Sequence, residues 1–168
     1  MPLSLNYKFL LIASATSAGI TAVVNLAVAQ ALWYSHSQIP LWGQQGLASY
    51  LTSASMVSSF IITFVVTKAT RKAIRTQHIY PLHWHLKSQT LIDQLPTHTA
   101  HRAFILGIVG ALMAGLTIYL LNYKGFTLFY YYEFAAFSIV YFLLLASSMA
   151  VMAAYRAMGD DVLKQVKL

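Results

Sequence analysis

FLLIASATSAGITAVVNLAVAQALWY, residues 9–34, contains no charged side chain, and no Asp, Glu, Lys or Arg follows it before Lys68. The uncharged stretch holds a second apolar run, LASYLTSASMVSSFIITFVVT at 47–67. Two more runs lie at 103–123 and about 134–155. Each has about the 20 residues that a helix needs to cross the hydrocarbon core of a bilayer. The expected fold is all-α, with four transmembrane helices in a single membrane domain spanning 1–168.

Composition agrees. A mean hydropathy of +0.62 and only 9% charged residues in 168 leave no room for a sizeable soluble domain beside four spans. The first run exceeds a typical signal-peptide core and carries Asn25 and Gln30 where a cleavage site would need small residues, so it reads as a span. Cysteine is absent, which excludes disulfides, thiolate metal sites and cysteine nucleophiles.

The net charge of +7 invites a nucleic-acid reading, but its placement gives another cause. Lys8 precedes the first span. Lys68, Arg71, Lys72, Arg75, Lys87 and Arg102 lie between the second and third, and Arg156, Lys164 and Lys167 follow the fourth. Of the eleven basic residues only Lys124 falls on the other side. The positive-inside rule then predicts both termini and the 76–101 connection on the cytoplasmic face of an inner membrane. Anionic lipid head groups are the expected partners there, and nucleic acid is not.

The loops carry their own signals. In SHSQIPLWGQQG, 35–46, Pro40 and Gly43 break the helix, and Trp33, Tyr34 and Trp42 suit the headgroup level. The second outer turn centres on Gly125 and leads into the aromatic run at 129–132. On the other side, TKATRKAIR extends the second span, and Pro81 opens either a short amphipathic helix edged by Leu82, Leu86, Ile92 and Leu95 or an irregular loop. AGIT at 18–21 and AGLT at 114–117 match as well. A two-helix hairpin used twice would produce that match, with its halves related about the membrane normal; chance in low-complexity apolar sequence would also produce it.

Four groups of residues are candidates for function. Small residues at helix-contact spacing, Gly107, Ala111 and Gly115 in one span and Ala15 with Gly19 in another, predict close packing within the chain or between copies. Span two is rich in hydroxyls, and Thr52, Ser55, Ser59 and Thr63 fall on one stripe. With Thr21, Asn25 and Gln30 they would line a polar passage between the first two spans; the simpler reading has each hydroxyl bonded to its own helix. Glu133 is the one acid close to a hydrocarbon region, either as a proton- or cation-handling group or as an interfacial anchor that complements a helix N-terminus. His83, His85, His98 and His101 share the cytoplasmic connection; a metal site there would need a ligand pattern that the spacing does not supply, so none is assigned. Phosphate-cradling, zinc-protease and nucleophile-elbow motifs are missing, and neither catalytic residues nor a cofactor is expected.

The combination of IPLWG at 39–43, an AGIT-type first span and a basic exit after span two resembles an uncharacterised family of small bacterial four-helix inner-membrane proteins, loosely labelled permeases. The likeness covers mainly residues 9–75. Such proteins enter span two with a more acidic segment, where this chain has Gln44 and Gln45. The resemblance implies topology and transfers no site residue. The functional expectation is a small channel, a carrier or a subunit of one, assembled as a homo-oligomer. The alternative is a non-catalytic accessory subunit of a larger membrane complex, and a weaker one is a membrane-embedded lipid-handling enzyme.

Overall fold

The structure, a computed structural model, describes residues 5–34, 38–43, 46–81 and 94–160. The four apolar runs form α1 (Leu5–Trp33), α2 (Leu47–Arg75), α3 (Thr99–Tyr123) and α4 (Tyr131–Met158). All four are long and apolar enough to cross a membrane, which gives the chain a multi-pass membrane architecture. The helix proposed from Pro81 onward falls largely outside the described residues, whereas TKATRKAIR does continue α2 to Arg75.

Of the helices adjacent in sequence only α2 and α3 pack closely in space. α1 packs along α4, α4 along α2, and α2 along α3, while α1 and α2 meet only briefly. The order across the molecule is therefore α1–α4–α2–α3, with α2 and α4 in the middle. Alanines make the centre possible: Ala146, Ala150, Ala153, Ala154 and Ala157 of α4 are fully buried and let neighbouring backbones come close. The outer faces of α1 and α3 remain exposed and apolar, with Ile20, Val23 and Val24 on one and Leu112 and Leu116 on the other.

The two ends of the bundle are built differently. At one, β1 (Gln38–Pro40) pairs antiparallel with β2 (Leu128–Tyr130), so a two-stranded ribbon joins the α1–α2 and α3–α4 connections. Ile39 faces Phe129 across it and both are buried. Beneath the ribbon Trp33, Tyr50 and Phe134 meet edge to face, with centroids 5.1 Å apart for Trp33–Tyr50 and for Trp33–Phe134. Trp33 is thus a core residue and not a headgroup anchor, because its ring completes an aromatic cluster worth more than partial hydration. Trp42 and Tyr34 do stand exposed. Gly125, at φ +80, sits in the left-handed conformation that ends α3; its N–H bonds to the Asn122 carbonyl and that of Phe126 to Leu121. At the other end Asn6 brackets Tyr80, donating to its carbonyl and accepting from its N–H at 2.9 Å each.

Within the chain, close packing follows a row that shares Gly107 with the expected one but leaves out Ala111 and Gly115. Ala103, Gly107, Gly110 and Ala114 form the buried face of α3. Gly107 rests on α2 near the Met56 carbonyl, and Gly110 is tighter still, against Ser59 and Ser55. Among the described residues nothing lies within 4 Å of where a Cβ would stand on Gly115 or Gly19, and Ala111 is only half-buried. The reason is geometric. A row at i, i+4, i+8 turns about 40° per step around a helix with 100° per residue, so its members drift off a straight contact line. Alternating steps of four and three stay on it. Gly115 borders a groove of about 680 Å³ between α2 and α3 at the ribbon end.

Gly110→Ala should lower stability by about 1–3 kcal/mol, because the new Cβ would collide with Ser59 and come within 2.8 Å of the Ser55 carbonyl oxygen. Gly115→Ala should change it by less than about 0.5 kcal/mol. Thermal unfolding of both variants in detergent checks the pair, and equal losses would contradict this packing.

Candidate functional site

The hydroxyl face of α2 is buried on the side of α3 and α4. Ser55 Oγ lies 2.9 Å from Tyr141 Oη of α4, and Ser59 abuts Gly110 of α3. The passage expected between the first two spans is therefore not what these residues line, since α1 hardly touches α2. Of its α1 members, Asn25 forms the polar link at the brief α1–α2 contact: its side-chain amide donates to Thr21 O at 2.9 Å and to Ser58 Oγ of α2 at 3.4 Å, and its side-chain carbonyl accepts from Tyr50 Oη of α2 at 3.2 Å. Thr21 is buried and Gln30 exposed.

Most hydroxyls in these helices bond back to the preceding turn, as Thr52 does to Ala48 O at 2.9 Å and Thr70 to Val66 O at 2.8 Å. Ser59, Thr63 and Thr67 do not. Their hydroxyl oxygens are buried and have no hydrogen-bond partner among the described residues. Spaced four residues apart, they follow Ser55 along α2, winding about 40° per step from the α4 side, where Ser55 meets Tyr141, to the α3 side, where Ser59 meets Gly110, and on toward Thr70 and Arg71.

That line ends at a charged cluster assembled from three helices. Asp160, just past the end of α4, is almost fully buried and accepts from Arg71 Nη2 at 2.6 Å, Arg102 Nη2 at 2.9 Å and Arg156 Nη1 at 2.9 Å. Carbonyls of the segment leading into α3 take further donors: Leu95 O from Arg156 Nε at 2.9 Å, Pro96 O from Arg102 Nε at 3.0 Å, and Thr97 O from Arg71 and Arg102. Arg71 Nη1 also reaches Thr99 Oγ1 at 2.8 Å. The Arg102 side chain is wholly enclosed, yet its Nη1 has no partner among the described residues. Three guanidiniums thus share one carboxylate among the described residues.

Sequence reasoning saw these arginines only as markers of orientation and passed over Asp160. The available signal was their type: guanidinium, unlike ammonium, can fork between a carboxylate and carbonyls while buried. Each also stood at the end of an apolar run, on the same side. Glu133 has a different place. It is exposed in the first turn of α4, where it accepts from the Tyr130 N–H at 3.2 Å, satisfying an otherwise free helix-end donor. His98 and His101 are in ring contact with centroids 5.0 Å apart, His83 and His85 lie outside the described residues, and no group of three metal-ligating side chains occurs among the described ones.

Compared with known proteins, the chain matches no family model, no curated protein and no solved structure.

Asp160→Ala should destabilise the protein by about 3–5 kcal/mol, since it leaves two buried guanidiniums and the half-buried Arg71 without their counter-charge. Glu133→Gln, which keeps an acceptor for the Tyr130 N–H, should cost less than about 1 kcal/mol. Unfolding of the two variants under the same conditions measures the contrast, and equal effects would mean that the cluster is not what joins α2, α3 and α4.

Proposed function

We propose that the chain is a small membrane transport protein or a subunit of one, with the hydroxyl face of α2 as its solute route. The observation that carries this reading is the file of Ser59, Thr63 and Thr67, three buried hydroxyls left without partners on a central helix. An unsatisfied hydroxyl in an apolar setting costs free energy, and valine in place of threonine would avoid that cost. Hydroxyls that meet water or a solute during a transport cycle recover it.

The arginine end is the cytoplasmic end in this proposal, so both termini face the cytoplasm of a cell with an inner membrane. The helix contacts support the two-hairpin repeat. Exchanging the halves carries α1–α4 onto α3–α2 and leaves α2–α4 and the β1–β2 pair unchanged. The pseudo-axis would run along the membrane normal by the Ile39–Phe129 pair. Copies of the chain would associate through the exposed apolar flanks of α1 and α3. Those same flanks favour the accessory role as second reading, with a larger membrane protein in place of further copies.

Two measurements test the proposal. Thr63→Val keeps shape and removes the hydroxyl, so it should hold or raise stability by up to about 1 kcal/mol while lowering flux at least roughly tenfold. Proteoliposomes assayed for proton, potassium, chloride and phosphate movement read this out. Unchanged flux in Thr63→Val would remove the α2 route, and absence of flux for every probe would favour the accessory role. For orientation, His78→Cys in this cysteine-free chain should resist a membrane-impermeant thiol reagent in intact cells and react after lysis. Labelling from outside would reverse the assignment.

A further inference from the structure

We propose that the arginine cluster is an oxyanion site, taking a phosphate-type group against Arg102 and Arg71 beside Asp160. The site stands on its own geometry, and its link to the transport reading is only that the α2 hydroxyl file ends on it.

Charge is the first argument. Arg71, Arg102 and Arg156 bring three positive charges together where Asp160 supplies one negative charge, so two are uncompensated among the described residues. Like charges at such distances repel strongly where the surroundings are poorly polarisable, and an anion would relieve them. Donor count is the second. Asp160 already accepts from Nε and Nη2 of Arg71, from Nη2 of Arg102 through both oxygens, and from Nη1 of Arg156. Its lone pairs are occupied, and the Leu95, Pro96 and Thr97 carbonyls are directed at other nitrogens. Nothing in the cluster remains for Nη1 of Arg102, a fully enclosed group with two N–H bonds to give.

Position and shape are the third. Arg102 lies in the first turn of α3, whose N-cap residue His98 makes no side-chain cap, so the positive end of the helix dipole adds to the guanidinium field. Arg71 is the most accessible of the three arginines and provides the approach from the aqueous side. A tetrahedral oxyanion matches the planar forks of two arginines, whereas chloride cannot bridge them with paired hydrogen bonds. The group can come from an anionic lipid head group or from phosphate in solution, and the chemistry is the same.

The full chain in neutral detergent, titrated with inorganic phosphate or with chloride at matched ionic strength, tests the site. Phosphate should raise the unfolding temperature saturably and chloride should not. Asp160→Asn removes the resident carboxylate and should bind phosphate at least roughly tenfold tighter than the wild type, because an uncompensated cluster attracts the anion more strongly. Arg71→Gln, at the accessible edge, should weaken the response in the wild-type background and serves if Asp160→Asn does not fold. Short-chain phosphatidic acid against phosphatidylcholine separates the sources. Stabilisation by phosphatidic acid but not by free phosphate assigns the site to lipid, and stabilisation by free phosphate assigns it to a soluble oxyanion. If neither phosphate nor phosphatidic acid exceeds its control in the wild type and in a folded variant, the site does not exist. Flux without phosphate binding would leave the transport proposal standing and remove this one.

Discussion

The carboxylate of Asp160 is the point on which the arginine end of this bundle depends. Through it α2, α3 and α4 are joined, and the same three guanidiniums gather the carbonyls of the segment that enters α3. Buried ion pairs do not in general stabilise more than apolar packing would, because desolvation consumes most of the attraction. They do fix geometry: removing one partner strands the others. A cluster of this kind therefore specifies which helix ends meet, something that lipid-facing side chains cannot do.

The other end achieves the same result without charge. There the ribbon pairs backbone groups of two connections, and an aromatic cluster fills the space between α1, α2 and α4. Inside lipid the hydrophobic effect gives no preference for one helix face over another, so close approach must come from small residues and fixed ends. Gly110 against Ser59, and the alanines of α4, supply the approach. The ribbon and the arginine cluster set the order α1–α4–α2–α3, which short connections alone would not dictate.

The number, extent and character of the helices were legible in the sequence because a bilayer demands long apolar runs. Their contact faces were not. A helix facing lipid on one side and protein on the other is apolar all round, and AGIT or a G-x-x-x-A row gives spacing without telling which way it points. Gly115 and Gly19 were chosen by spacing and lie off the contact line, while Gly110 was passed over. Glu133 drew attention by its rarity, yet its acceptor is taken up by the backbone of its own helix start. For the arginines, positive-inside retention already explained every charge, and that sufficient explanation hid their convergence on Asp160. Convergence of residues separated by up to 89 positions is a tertiary fact that no local pattern encodes.

The two unusual features of the interior lie on one helix. α2 carries the unpartnered hydroxyls and, one turn beyond Thr67, the arginine that opens the cluster to water. Each feature taken as scaffolding is a poor solution: valine would pack as well as threonine without an orphaned hydroxyl, and fewer arginines would hold Asp160 with less repulsion. Under the transport and oxyanion proposals they have a common rationale. Hydroxyls can take over part of a solute's hydration shell inside a dry bundle, and excess positive charge at the aqueous end favours an anion at the mouth. Because α2 packs on both α3 and α4, a change in the balance of charge at Asp160 would act directly on the two surfaces that enclose those hydroxyls.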